Sequence, residues 1–196
     1  IEDMERAQYP ASFRDAAKLE KEAAGLHMYD ALVINGLLQT KEYARTVFTN
    51  WRPLLDVDTV EQRVAARLAR QEIFERKSTP TISFVMEEAL LRKGLGGQAV
   101  MRGQLEQILL TGQRRNVEIQ IMPSDCEEHP ALSGTFTLIS TAKGRRIAYV
   151  DAYKGSRLYS DDQTVREMEE RYGILRAQAL TPRKSLALVE KLLGET

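Results

Sequence analysis

Apolar residues along this chain recur with two periods, and each period names an element. The clearest helical stretch runs over 57–76, where Val57, Val60, Val64 and Leu68 recur at three- and four-residue steps. Asp56 or Asp58 can cap its start, and Lys77-Ser-Thr-Pro80 ends it. A second helix is predicted over 98–111, with Met101, Leu105, Ile108 and Leu109 inward and Gly112 as its stop. A third carries Val165, Met168, Tyr172, Leu175 and Ala179 as an apolar seam, opened by a capping box from Ser160 to Gln163. Thr181-Pro182 opens a last helix with Leu186, Val189 and Leu193 on one side. Upstream, a helix is expected from Pro10 to about Ala24, stopped by Gly25. Residues 27–34 show neither period, Asn35-Gly36 reads as a turn, and 37–50 resumes as a helix.

Period two, or short β-branched runs, mark the strands. They fall at 81–86 and at 117–122, where Val117, Ile119 and Ile121 alternate with Glu118, Gln120 and Met122 in a half-buried pattern ended by Pro123. Three more, at 135–140, 146–153 and 157–160, form an antiparallel meander through turns at Lys143-Gly144 and Lys154-Gly155. Residues 87–93 make a short helical turn. The order is helices, then β-α-β-β-β, then two helices. It predicts an α+β fold: a sheet of about five strands covered by helices, with an N-terminal helical annex. On this reading 1–79 is a helical segment packing on a mixed sheet core at 80–196, and the two make one structural unit.

Composition narrows the class. A hydrophobic fraction of 43% supports a core, and 29% charged residues give a solvated surface. The 28 basic and 28 acidic side chains cancel, so the chain lacks the net positive charge that gripping nucleic acid usually requires. A single cysteine, Cys126, cannot make an internal disulfide framework, which points to a reducing, cytoplasmic setting. No apolar run approaches the ~18 residues of a membrane span, and IEDMERAQYP has no signal-peptide core. The start at Ile1 instead of methionine fits a piece of a longer protein, and fits processing or a disordered start equally well.

Several residue groups could carry chemistry. Gly94-Leu-Gly-Gly97 precedes a helix but lacks the Walker ending and the dinucleotide spacing, so it reads as a loop and cap. Cys126, Glu127, Glu128 and His129 share a long loop, but one Cys and one His fall short of a zinc pattern. Glu87 and Glu88 follow a strand and diverge too far to share a proton, so one of them is the better candidate for a ligand contact. Arg63, Arg67 and Arg70 form a basic stripe that could meet an anion, an acidic partner or nucleic acid, or could be a solvated face with intrahelical pairs. Leu37, Leu38, Tyr43, Phe48 and Trp51 form an apolar group that is either core or interface. No signature of a metalloprotease, nucleophile elbow, kinase or Rossmann fold is present. The expectation is a protein that is not an enzyme and holds no cofactor and no metal.

A resemblance sharpens this. Gly36-Leu-Leu-Gln-Thr-Lys-Glu-Tyr-Ala-Arg45 resembles the PGLLQT-x-x-YAR hallmark of the large, uncharacterised C-terminal domain of actinobacterial regulators with an N-terminal XRE-type helix-turn-helix. Collinear segments extend it: Val64-Ala-Ala-Arg67 to Arg70-Gln71, Val85-Met-Glu-Glu88 through Leu91-Arg92, Ile119-Gln-Ile-Met-Pro123, His129-Pro130, Gly134-Thr-Phe136 and Leu175-Arg176 to Ser185. Asn35 stands where the family usually has proline. The resemblance implies a cytoplasmic regulatory domain of a Streptomyces-like organism. It would act on DNA only through a helix-turn-helix upstream, as a homodimer or with a small companion protein encoded nearby. Glu88, Arg92, His129, Arg67, Arg70 and Gln71 are the expected effector or partner contacts. An effector cleft near Glu88, Arg92 and the 124–134 loop is the alternative reading. A third is a degenerate phosphodiesterase related to half of a phospholipase-D-like domain, but His129 is followed by Pro130-Ala131 and not by the His-x-Lys pattern.

Overall fold

The computed structural model describes residues 14–151 and 156–196. In chain order the elements are α1 (Arg14–Lys21), β1 (Ala23–Asp30), α2 (Lys41–Thr49), α3 (Val57–Ala69) with a 3-10 extension (Arg70–Glu75), β2 (Thr81–Glu87) and α4 (Glu88–Arg92). They continue with α5 (Gln98–Gly112), β3 (Val117–Met122), β4 (Phe136–Thr141), β5 (Arg146–Val150), β6 (Arg157–Tyr159), α6 (Asp162–Gln178) and α7 (Pro182–Glu195). The strands form one sheet of six, in the order β3-β2-β1-β4-β5-β6. β1, β2 and β3 run parallel, and β4, β5 and β6 continue the sheet as an antiparallel meander. The α+β class is as expected, with one strand more.

The extra strand is β1, which lies between β2 and β4 near the middle of the sheet. Gly25 does not stop a helix there. It pairs with Thr81 and Ser140 beside a bulge, and a Cβ on it would sit 2.6 Å from Ser140 Oγ. Residues 1–79 are therefore not a purely helical segment, because they supply this strand. Residues 10–13 of the expected first helix, 152–153 of the expected fourth strand and Lys154-Gly155 of the turn after it lie outside the described residues.

Both faces of the sheet are covered. On one, Leu26, Met28, Ile82, Phe84, Ile119 and Ile121 pack with Leu105 and Ile108 of α5, Val189 and Leu192 of α7, and the 34–38 segment. On the other, Tyr29, Val85, Met122, Phe136 and Leu138 pack with Val165, Tyr172 and Leu175 of α6. This double cover changes the expected pattern of β3. Gln120 and Met122 are buried as well, and only Glu118 is exposed. Gln120 tolerates burial because its amide donates to the carbonyls of Arg176 and Leu180.

The helix ends follow from their caps. Thr40, Asp56, Asp161 and Thr181 each accept a backbone N–H at the start of α2, α3, α6 and α7. The cap of α6 is thus Asp161, one residue past the expected Ser160. Val57, expected on the inner face of α3, is 77% exposed, because it precedes the point where α3 meets α2. Val60 and Val64 are buried there against Ala44 and Phe48. No helix among the described residues is long and apolar enough to cross a membrane.

Candidate functional site

The hallmark segment 36–45 and the arginine stripe of α3 meet in space. Gly36 lies so close to α3 that a Cβ on it would sit 3.1 Å from Arg70 Nη1 and 3.5 Å from Arg67 Nε. A side chain here would press on the two arginines, and Gly36 is not among the positive-φ residues, so the close approach and not the backbone angle favours glycine. Leu37 and Leu38 fill the core, and Thr40 caps α2 through its hydroxyl, 3.2 Å from Tyr43 N. The Tyr43 hydroxyl accepts from Ile34 N at 3.3 Å, and Arg45 makes a bidentate pair with Glu61 that ties α2 to α3. Gln39, 1% exposed, donates from Nε2 to Ile34 O at 2.7 Å and accepts at Oε1 from Arg67 Nη1 at 3.0 Å. Gln71 Nε2 donates to Gln39 O at 2.7 Å.

Charge is held tightly around this knot. Arg70 makes a bidentate pair with Glu20 at 3.0 and 2.6 Å, and both side chains are largely buried. Arg67 stacks its guanidinium over the Phe48 ring, 4.2 Å from the centroid. Burial lowers its pKa to about 9, with the Arg70 charge adding to the effect and Asp151 opposing it. Asp30, at the end of β1, is 5% exposed and takes both bonds from Asn35 Nδ2, at 3.1 and 3.2 Å. Burial raises its carboxyl to about 7, against the pull of Asn35 and Arg70. Tyr149 on β5 is pushed up to about 12, mainly by burial.

A second network sits on the other face at the same end of the sheet. Tyr29 Oη donates to Glu87 Oε1 at 2.9 Å, and His129 Nε2 lies 2.9 Å from the same oxygen. His129 Nδ1 accepts from Ala131 N at 3.2 Å, so the hydrogen sits on Nε2 and points at Glu87. Burial and the Glu87 carboxylate raise the Tyr29 pKa. Next to it, Glu88 bonds Arg92 within α4 and accepts from Ser124 N at 3.1 Å. Together these bonds fasten the 124–134 loop onto the ends of β1 and β2. Cys126 Sγ bonds Glu128 O and not His129, and no group of three metal-ligand residues forms among the described residues.

A third set lies between the sheet and α6, buried at Ser83 and Tyr172 and partly exposed at His27. His27 Nδ1 lies 2.6 Å from Ser83 Oγ, which lies 2.9 Å from Tyr172 Oη, and Tyr172 also donates to Ser83 O at 3.1 Å. Burial lowers the His27 pKa. Its other edge lines a cleft of about 60 Å³ with Ser140, Arg146 and Glu169, room for a couple of waters. The three residues are distant in sequence, and no local spacing signals them.

The expected contacts therefore divide into two groups. Arg67, Arg70 and Gln71 join the hallmark knot, whereas His129 bonds Glu87, Glu88 accepts from Ser124 of the 124–134 loop, and Arg92 bonds Glu88. They do not form one cleft. The expected interface group is corrected in most of its members. Leu37, Leu38 and Tyr43 are at most 1% exposed and Phe48 is 5% exposed, all inside the chain's own core, while Trp51 is 46% exposed. Aromatic and leucine residues at helical spacing serve packing here, because the sheet needs cover on that face.

Fold and site define an α+β module whose three parallel strands end between two separate polar networks, one on each face. The chain belongs to the DUF5753 family, a domain of unknown function, whose family model matches residues 13–191. Neither the curated proteins nor the solved structures give a match.

Proposed function

We propose that this chain is the regulatory domain of a helix-turn-helix transcription regulator and is itself neither a DNA-binding unit nor an enzyme. It would act in the cytoplasm, controlling DNA binding by a helix-turn-helix elsewhere in its protein, as a homodimer or with a small companion protein. The observation that carries the reading is the meeting of residues 36–45 with residues 67–71. These are two of the segments on which the resemblance to XRE-type regulators rests, and they build a single charged knot.

The balance of 28 basic and 28 acidic residues supports a partner other than a phosphate backbone. Exposed Trp51 and Leu54, on the loop leading into α3, and exposed Val57 at its start support contact with protein. The effector-sensing alternative draws support from Arg67, half-buried beside Arg70 with an amide as its hydrogen-bonding partner.

The test is native mass spectrometry of the purified chain, combined with an electrophoretic shift assay on duplex DNA at physiological salt. A dimer or a defined companion complex, with no DNA shift, is expected. A monomer that binds duplex DNA with micromolar, salt-dependent affinity would overturn the proposal.

A further inference from the structure

The hallmark knot contains a cation whose donors are mostly unused. Arg67 Nη1 donates to Gln39 Oε1, and its guanidinium lies over Phe48. No carboxylate among the described residues comes within ion-pair distance of it. Its remaining N–H groups have no acceptor among those residues either. The side chain is half-buried, so it keeps an opening to solvent. A guanidinium held this way normally pairs with a carboxylate or phosphate, because the N–H fork matches two oxygens at once.

The surroundings favour an anion further. Arg63, one turn before Arg67 on α3, has a buried Nε with no hydrogen-bond partner. Arg70 follows in the 3-10 extension and is matched by Glu20. The Arg63 and Arg70 charges both act against the charge of Arg67, and Asp151 relieves them only in part. Three guanidiniums are thus gathered, with Glu20 paired to Arg70, the Asp151 charge acting on Arg67, and Asp30 held toward its neutral form by burial. A multiply charged anion would relieve that repulsion and supply acceptors to Arg67 and Arg63. Phe48 and Gln39 fix the Arg67 fork in advance, so little rotamer freedom is lost on binding.

We propose that Arg67, with Arg63 beside it, forms a binding site for a small oxyanion of phosphate type, either free phosphate or the phosphoryl group of a small metabolite. The site stands on the geometry of this chain alone.

The experiment is isothermal titration of the chain at pH 7.5 and constant ionic strength, with inorganic phosphate and with adenosine monophosphate as separate probes. Saturable one-site binding of phosphate is expected. R67Q should weaken it about tenfold or more, the worth of a charged hydrogen bond. R102Q on α5, whose Arg102 pairs with exposed Glu106, should leave it unchanged. Tighter binding of the monophosphate identifies a phosphoryl metabolite, and equal or weaker binding identifies free phosphate. Absence of saturable binding by both probes overturns the site, as does binding that R67Q leaves intact. If R67Q does not fold, R63Q is read in its place: it keeps the packing of Arg67 on Phe48, and undiminished affinity in that variant overturns the site equally.

Discussion

Replacing Asp30 by asparagine should make the chain's stability less dependent on pH, in a direction the structure specifies. Asp30 is buried at the end of β1, with Asn35 Nδ2 bridging its two oxygens. Burial dominates and raises its pKa to about 7, although Asn35 and the Arg70 charge pull the other way. In the unfolded chain the group titrates near ~3.9. Between about pH 4 and 7 the folded chain therefore holds a proton that the unfolded chain has released. Stability falls as pH rises through that window and levels off above it. The gap between the two titrations corresponds to at most ~4 kcal/mol, at ~1.36 kcal/mol for each pH unit. The D30N side chain would keep a carbonyl acceptor for Asn35 and lose the titration. Urea denaturation of both proteins from pH 4.5 to 8.5 isolates the effect, because every other carboxylate cancels in the difference. The stability of D30N relative to the parent should rise by about 2–4 kcal/mol across the range. A flat difference, or one of opposite slope, would refute the assignment of a protonated Asp30.

Two further variants test the fold. I119D places a carboxylate at a site 1% exposed between β2 and the covering helices, and should cost several kcal/mol in urea denaturation. An unchanged unfolding midpoint would contradict the burial of β3. E20Q breaks the bidentate pair with Arg70 and leaves a buried guanidinium short of charge, at a cost of about 3–5 kcal/mol. A loss under about 1 kcal/mol would show that the pair is solvated.

Most of the sheet is legible in the sequence because its strands alternate or carry β-branched residues. The pattern places β3 at 117–122, and it places the meander with errors of a residue or so at its described ends. β1 is not legible. Its segment, Ala-Ala-Gly-Leu-His-Met-Tyr-Asp, is packed on both faces and so shows no alternation, and it contains no β-branched residue. Propensity points to helix at its start, and pairing with β2 and β4 overrides it. The site is legible in half. The spacing of Arg63, Arg67 and Arg70 shows the stripe, but not that Gly36 and Gln39 fold beneath it. Glu20 and Asp30 carry no sequence signal, since a buried charge is recognised only by what surrounds it. The group from Leu37 to Trp51 is ambiguous for the same reason: apolar residues at helical spacing look alike in a core and at an interface.

The proposed regulatory role is tested most directly by chromatin immunoprecipitation of the protein carrying this chain, in its own cells, compared with the same protein bearing R67Q. The account predicts a small set of discrete genomic sites whose occupancy changes with R67Q, while the isolated chain leaves duplex DNA unshifted. No enriched sites for the intact protein would contradict the assignment to a transcription regulator.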